Sequence, residues 1–178
     1  LDEIEKAMAG ATQGAADGGV SADALGTVLS WMQDRAGSVF VVATANDVTQ
    51  LPPELMRKGR FDELFFVDLP AGAERCAILR ATLRQHSRQD EAVFPIDVGT
   101  IANATPDFTG AELAALVPDA LFAAFADGER QICTEDLLTA AAATVPLART
   151  AAEKIAALRT WAKGRARPAT TPSATTAP

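Results

Sequence analysis

Residues 51–62 read LPPELMRKGRFD, and the fold turns on how they are read. Pro52 and Pro53 open a short helix, because the fixed φ of proline suits a first helical turn and its missing N–H is not needed there. Gly59 stops it. Arg57 and Arg60 sit beside that glycine. Working backward, residues 39–43 form a short, continuous run rich in β-branched side chains, as expected of a parallel strand covered on both faces. Asn46 stands at its carboxyl end. Earlier still, Ser21 is placed to cap a helix whose Leu25, Val28, Leu29 and Met32 recur at helical spacing and lay one apolar stripe on a sheet; Gly37 ends it. Working forward, residues 64–67 read as a second buried strand closed by Pro70. Helix, strand, helix, strand is α/β layering.

From Ala73 onward the strand signal stops. Cys76, Leu79 and Leu83 form one helical stripe, Val98 and Ile101 a second, and Leu113, Leu116, Val117 and Leu121 a third, so this half is expected to be a small helical bundle. Thr109 with Glu112, and Thr150 with Glu153, fit the capping box in which hydroxyl and carboxylate each satisfy the other's end of a first turn. Pro118, inside the third stripe, removes a backbone donor and is expected to kink its helix. Ile155, Leu158 and Trp161 give a last helix one apolar face, expected to be buried against the bundle. Residues 168–178 contain only Pro, Ala, Thr and Ser and are expected to be disordered.

At 178 residues and 48% hydrophobic, the chain has enough apolar side chains for one good core or two small ones. No run approaches the roughly 20 apolar residues of a membrane span, so no membrane partner is expected. The chain opens on Leu1, directly before an acidic pair with no strand ahead of it, and this reads as a start inside a longer polypeptide. Cys76 and Cys133 lie far apart with no CxxC or histidine cluster, which excludes a zinc-site or disulfide-framework pattern and suggests a reducing, cytoplasmic setting. Net charge is −7, and direct nucleic-acid binding is not expected of so acidic a body.

Leu1, Asp2, Glu3 and Ile4 have the form of a Walker B ending, an acidic pair after a buried strand. Two adjacent carboxylates can divide the tasks of holding Mg²⁺ and activating a water that attacks a phosphoanhydride. Taken alone, such a pair before an apolar residue is more often the solvated start of a helix. Asn-Asp after a strand is also a favourable turn, yet an amide at that end of the strand beside Walker B would lie where it could position the water. Arg57 and Arg60 can be ordinary surface arginines near a helix end.

Together these segments resemble the AAA clade of the ring-forming AAA+ ATPases, from Leu1 to about residue 145. Leu1 to Ile4 resemble its Walker B, Ala43-Thr44-Ala45-Asn46 its sensor 1 strand, and residues 51–62, the most specific match, its second region of homology. Residues 17–31 and the ending with Trp161 look most similar to AAA proteins of cyanobacteria and plastids and their bacterial relatives. The resemblance implies the C-terminal half of a P-loop-type α/β/α AAA+ domain over residues 1–70, an all-α helical lid over 71–147, a C-terminal helix over 148–167 and a tail over 168–178. It implies ATP and Mg²⁺ as cofactors, with Asp2 holding the metal through water, Glu3 activating the attacking water and Asn46 orienting it. Arg57 and Arg60 would be arginine fingers for ATP in the adjacent subunit, since a guanidinium stays charged and forks onto two phosphate oxygens. Gly110 and Ala111, within Thr109-Gly110-Ala111-Glu112, would approach the adenine and ribose. As in that clade, no arginine occupies the sensor 2 position. Residues 10–19 are placed like a second pore loop and read equally well as a flexible linker.

One departure is large: no G-x-x-x-x-G-K-[ST] occurs in the sequence, so the backbone cradle and phosphate lysine are missing from it. In the family they precede Walker B. The implied function is part of an ATP-hydrolysing ring, hexameric by resemblance, that remodels a macromolecular, expectedly protein, client. The alternative is a non-catalytic ring or adaptor subunit that supplies fingers to a partner. A purely structural helical domain is a third reading.

Overall fold

The computed structural model of the chain describes residues 1–6, 20–34, 37, 39–57, 59–86 and 96–170, and of residues 20–25 the backbone alone. Residues 10–19, read above as a pore loop or linker, lie outside the described residues. Contacts divide the chain into two compact units, Leu1–Phe65 with Arg165–Arg167, and Phe66–Gly164 with Pro168–Pro178.

In the first unit, α1 spans Val20–Asp34. It begins one residue before Ser21, which therefore sits inside the helix; a cap residue needs a non-helical backbone, so Ser21 does not serve as one. Met32 of α1, Ile4 and Leu55 form a buried core with Val28, Leu29, Ala43, Leu51 and Phe61 packed around it. The short helix expected from Pro52 and Pro53 up to Gly59 is a 3₁₀ segment, Pro53–Met56, with Arg57 at its end. Gly59 follows at φ +90°, a left-handed backbone that glycine adopts without a side-chain clash.

Residues 39–43 are extended but do not form the buried strand expected from their composition. Leu1 is the residue paired with this run: its nitrogen donates to the Val42 carbonyl at 2.8 Å, and its carbonyl accepts from the Thr44 N–H at 2.9 Å. Bonds to residues on either side of Ala43 are the parallel pattern, so Leu1 lies in register with Ala43. With one short partner among the described residues, Phe40 remains 92% exposed. Residues 64–67 differ in the same way. Only Phe65–Phe66 form a strand, β1, and both Phe65 and Val67 are exposed.

Strand β1 pairs with β2, Arg167–Pro168. The Arg167 N–H donates to the Leu64 carbonyl at 2.8 Å and the Ala169 N–H to that of Phe66 at 2.9 Å. The partners advance together, so the pair is parallel. Residues 168–170 are therefore ordered, against the expectation of a free tail, and the Thr170 hydroxyl donates to Glu74 at 2.7 Å. The remainder of the expected tail, 171–178, lies outside the described residues.

The second unit is helical: α2 Gly72–His86, α3 Val98–Ala104, α4 Gly110–Ala126, α5 Thr134–Ala143, α6 Leu147–Thr150 and α7 Ala152–Ala162. Helix α2 packs on α3 and α4, and α5 packs on the same two. All three sequence stripes point inward: Leu79, Ile101, Leu113, Leu116 and Val117 are buried, with Leu137 of α5 joining them. Helix α4 continues through Pro118. No described helix is long and apolar enough to cross a membrane.

The Thr109–Glu112 capping box forms as the sequence predicts. The Thr150–Glu153 box does not. Glu112 Oε1 accepts the Leu147 N–H at 2.7 Å, so α6 starts at Leu147 and Thr150 becomes its last residue, its hydroxyl bonded back to the Leu147 carbonyl. Ala151 opens α7 without a side-chain cap. Helix α7 packs on α6, and Ile155, Leu158 and Trp161 are half-buried, less than expected of a stripe docked on the bundle.

Helix α5 is anchored electrostatically at its start. The Arg130 guanidinium forks onto both oxygens of Asp136, each bond at 2.7 Å, and Asp136 also accepts the Cys133 N–H at 2.8 Å. Arg130 first, then that backbone donor, hold the Asp136 carboxyl far below the usual aspartate range, against the opposing effect of burial. A carboxyl whose pKa is depressed by folding contributes fully to stability above its unfolded value of about 3.9, and the contribution is lost progressively as pH falls from there through the folded value. Asp136→Asn is therefore expected to lower the melting temperature at pH 7 and to have a clearly smaller effect at pH 2, where the wild type has itself lost part of the contribution. Paired thermal melts at the two pH values check this.

Candidate functional site

Residues 1–6 and 44–46 converge because Leu1 and Ala43 lie side by side in parallel, which brings the residues after each to the same carboxyl edge. Glu3 has φ +49°, a left-handed backbone uncommon outside glycine. Its N–H donates to the Thr44 hydroxyl at 3.0 Å, and that hydroxyl in turn donates to Asp2 Oδ1. Glu3 Oε1 accepts from the Asn46 side-chain amide at 2.9 Å, and Oε2 accepts from Lys6 at 2.6 Å. The bond to Glu3 and its negative charge raise the Lys6 pKa above the ordinary lysine value.

Glu5 stands behind this cluster. It is 2% exposed, one carboxylate oxygen accepts the Asn46 backbone N–H at 3.0 Å, and the other has no partner among the described residues. Three of the residues singled out from sequence, Asp2, Glu3 and Asn46, are thus brought together. Two neighbours, Thr44 and Glu5, were not singled out. Thr44 could have been found by strand alternation, which puts it on the same side as Asn46 two residues on.

Arg57 and Arg60 are not part of the cluster. Arg57 is exposed. Arg60 is half-buried, and its Nη1 is buried with no hydrogen-bond partner among the described residues. Gly110 and Ala111 begin α4 in the second unit. A β-carbon at Gly110 would lie 3.6 Å from Ile78 Cδ1, ordinary contact distance, so packing does not demand glycine there.

The donor set suits a lightly held divalent cation. Among the described residues no three His, Cys, Asp or Glu side chains form a metal cage. Mg²⁺ does not need one, since it binds through one or two carboxylates with waters and substrate phosphates completing the octahedron. Asp2, exposed and bonded at Oδ1, offers one such carboxylate.

Residues 1–69 match the family described as "ATPase family associated with various cellular activities (AAA)", and residues 95–139 match the AAA+ lid domain. The chain belongs to the AAA family. The AAA domain-containing protein ycf46 of Pyropia yezoensis is 40% identical over 169 residues, covering 94% of this chain and 33% of the relative. The ATP-dependent zinc metalloprotease FtsH of Acidothermus cellulolyticus is 43% identical over 103 residues, 58% of this chain and 15% of the relative. The AAA chain thus spans about a third of the length of its ycf46 relatives. Among solved structures, the AAA domain of FIGL-1 in complex with ADP superposes with a TM-score of 0.68 over 93% of this chain and 56% of that one, at 18% identity. That likeness is one of fold: a C-terminal AAA segment with its lid, as residues 51–62 predict.

Proposed function

We propose that this AAA segment supplies the hydrolytic edge of an ATP-driven ring, hexameric and acting on a protein client. The observation that carries the reading is the cluster at the carboxyl ends of the paired Leu1 and Ala43 segments, where both acids of the pair are held by hydrogen bonds from residues more than forty positions away. An acidic pair that merely started a helix would need no such partners. Bound Mg-ATP supplies the electrophilic phosphoryl group and a metal that neutralises developing charge. Asp2 holds the cation side of the site. Glu3 accepts the proton of the attacking water on a carboxylate oxygen, each of which keeps a lone pair beyond its bond to Asn46 or Lys6. The Asn46 amide fixes where Glu3 Oε1 points. Both acids being in place favours hydrolysis over a non-catalytic adaptor role.

The test separates the edge from the phosphate grip. This chain alone is expected to show no micromolar binding of Mg-ATP by calorimetry, because phosphate affinity comes mostly from a glycine-rich loop and its lysine. A protein carrying the segment together with that loop should release phosphate from ATP in a Mg²⁺-dependent assay. Micromolar binding by the chain alone would show that the nucleotide site has been misplaced.

A further inference from the structure

We propose that Thr44 is a positioning residue that aligns both carboxylates at once, an inference that rests on the hydrolytic reading above. Every polar group of Thr44 is engaged by residues 1–4. Its N–H donates to the Leu1 carbonyl at 2.9 Å and its carbonyl accepts the Ile4 N–H at 3.0 Å. Its hydroxyl accepts the Glu3 N–H at 3.0 Å and donates to Asp2 Oδ1.

A hydroxyl has one proton to give and lone pairs to accept with. Here the proton goes to the metal-side acid and a lone pair takes the backbone of the base-side acid, so one oxygen atom sets the spacing between them. The second bond bears on a strained residue. Glu3 is held at φ +49°, a conformation that a non-glycine residue keeps only where its surroundings impose it, and the Thr44 hydroxyl is the group that engages its N–H. Asn46 then fixes the end of the Glu3 side chain. Backbone and side chain of the base are thereby set by two residues of one extended segment, while Asp2 is set by the first of the two.

Valine is the discriminating replacement, because it keeps the shape and both backbone bonds of Thr44 and removes only the hydroxyl. In the full-length protein Thr44→Val is expected to lower kcat about 10- to 100-fold, the usual effect of losing a group that orients a metal or catalytic ligand. Half-saturating Mg²⁺ should rise with it. Thr44→Ser, which restores the oxygen, should return kcat to within a few-fold of wild type. Two readouts are independent of turnover. Electron paramagnetic resonance of Mn²⁺ with ADP should show weaker metal binding in the valine variant and recovery in the serine variant. Hydrogen exchange of the peptide containing Glu3 should be faster in valine and near normal in serine. Wild-type turnover and Mn²⁺ affinity in Thr44→Val would overturn the role of Thr44 and leave hydrolysis standing. A serine variant as impaired as the valine would show that the methyl, not the hydroxyl, is what matters, and would overturn it too. Failure of the unsubstituted protein to hydrolyse ATP would overturn the hydrolytic reading and this role with it.

Discussion

Arg60→Ala in the full-length protein is expected to cut turnover about 10³- to 10⁵-fold while leaving ATP bound, the usual effect of removing an arginine that stabilises the transferring phosphoryl group. The structure is compatible with a guanidinium reserved for something outside the unit. Among the described residues neither Arg57 nor Arg60 forms an ion pair, and the buried Arg60 Nη1 has no hydrogen-bond partner. An unsatisfied buried donor costs on the order of 1–3 kcal/mol, more when charged, and such a cost is tolerable where the group's partner arrives with the neighbouring subunit. A finger acting across an interface serves the neighbour's nucleotide, so complementation is expected. Arg60→Ala subunits mixed with Glu3→Gln subunits, each inactive alone, should recover part of the turnover, because some interfaces then combine a working arginine with a working carboxylate. If subunit exchange is verified and the mixture stays inactive, action between subunits fails; near-normal turnover by Arg60→Ala alone removes the finger assignment.

Glu3→Gln is expected to abolish measurable turnover and leave ATP bound, trapping assembled rings, since the amide keeps the shape of the carboxylate and cannot take a proton. Loss of a positioned general base is typically worth about 10²- to 10⁴-fold. The surroundings of Glu3 add a second consequence. Oε1 can still accept from Asn46, but an amide nitrogen in place of Oε2 faces the Lys6 ammonium, donor against donor. Lys6 should move away and its pKa should fall back toward the ordinary lysine value, which NMR titration of its side chain would report. Unchanged turnover in this variant would take Glu3 out of the mechanism and favour the reading of the acidic pair as a plain helix start.

The local signals in the sequence were sufficient wherever neighbours along the chain settle the outcome. Helical periodicity identified the inward faces of α2, α3 and α4, because residues three and four apart share a helix face whatever lies opposite. The Thr109–Glu112 cap was legible for the same reason: donor and acceptor lie within one turn. Residues 1–4, 43–46 and 51–62 together carried the family resemblance, and residues 1–69 match that family. Where the deciding partner was distant, local reading failed. Thr150 and Glu153 have the pattern of a cap, yet Glu112, 35 residues away, takes the Leu147 N–H and moves the helix start. Residues 168–170 have a disordered composition, yet the free edge of Phe65–Phe66 and the Glu74 carboxylate hold them. Residues 39–43 have the composition of a buried strand, but strand burial is a property of what covers it, and composition cannot supply the cover.

The candidate site divides along the same line. Sequence alone nominated Asp2, Glu3 and Asn46 by chemical type and position after a strand. Only the tertiary structure brought Leu1 into register with Ala43, and that register makes Thr44 the shared partner of both acids and places Glu5 behind Asn46. A hydrogen bond between residues some forty positions apart depends on how two extended segments align, and alignment is set by packing across the whole unit, which no window of neighbouring residues contains.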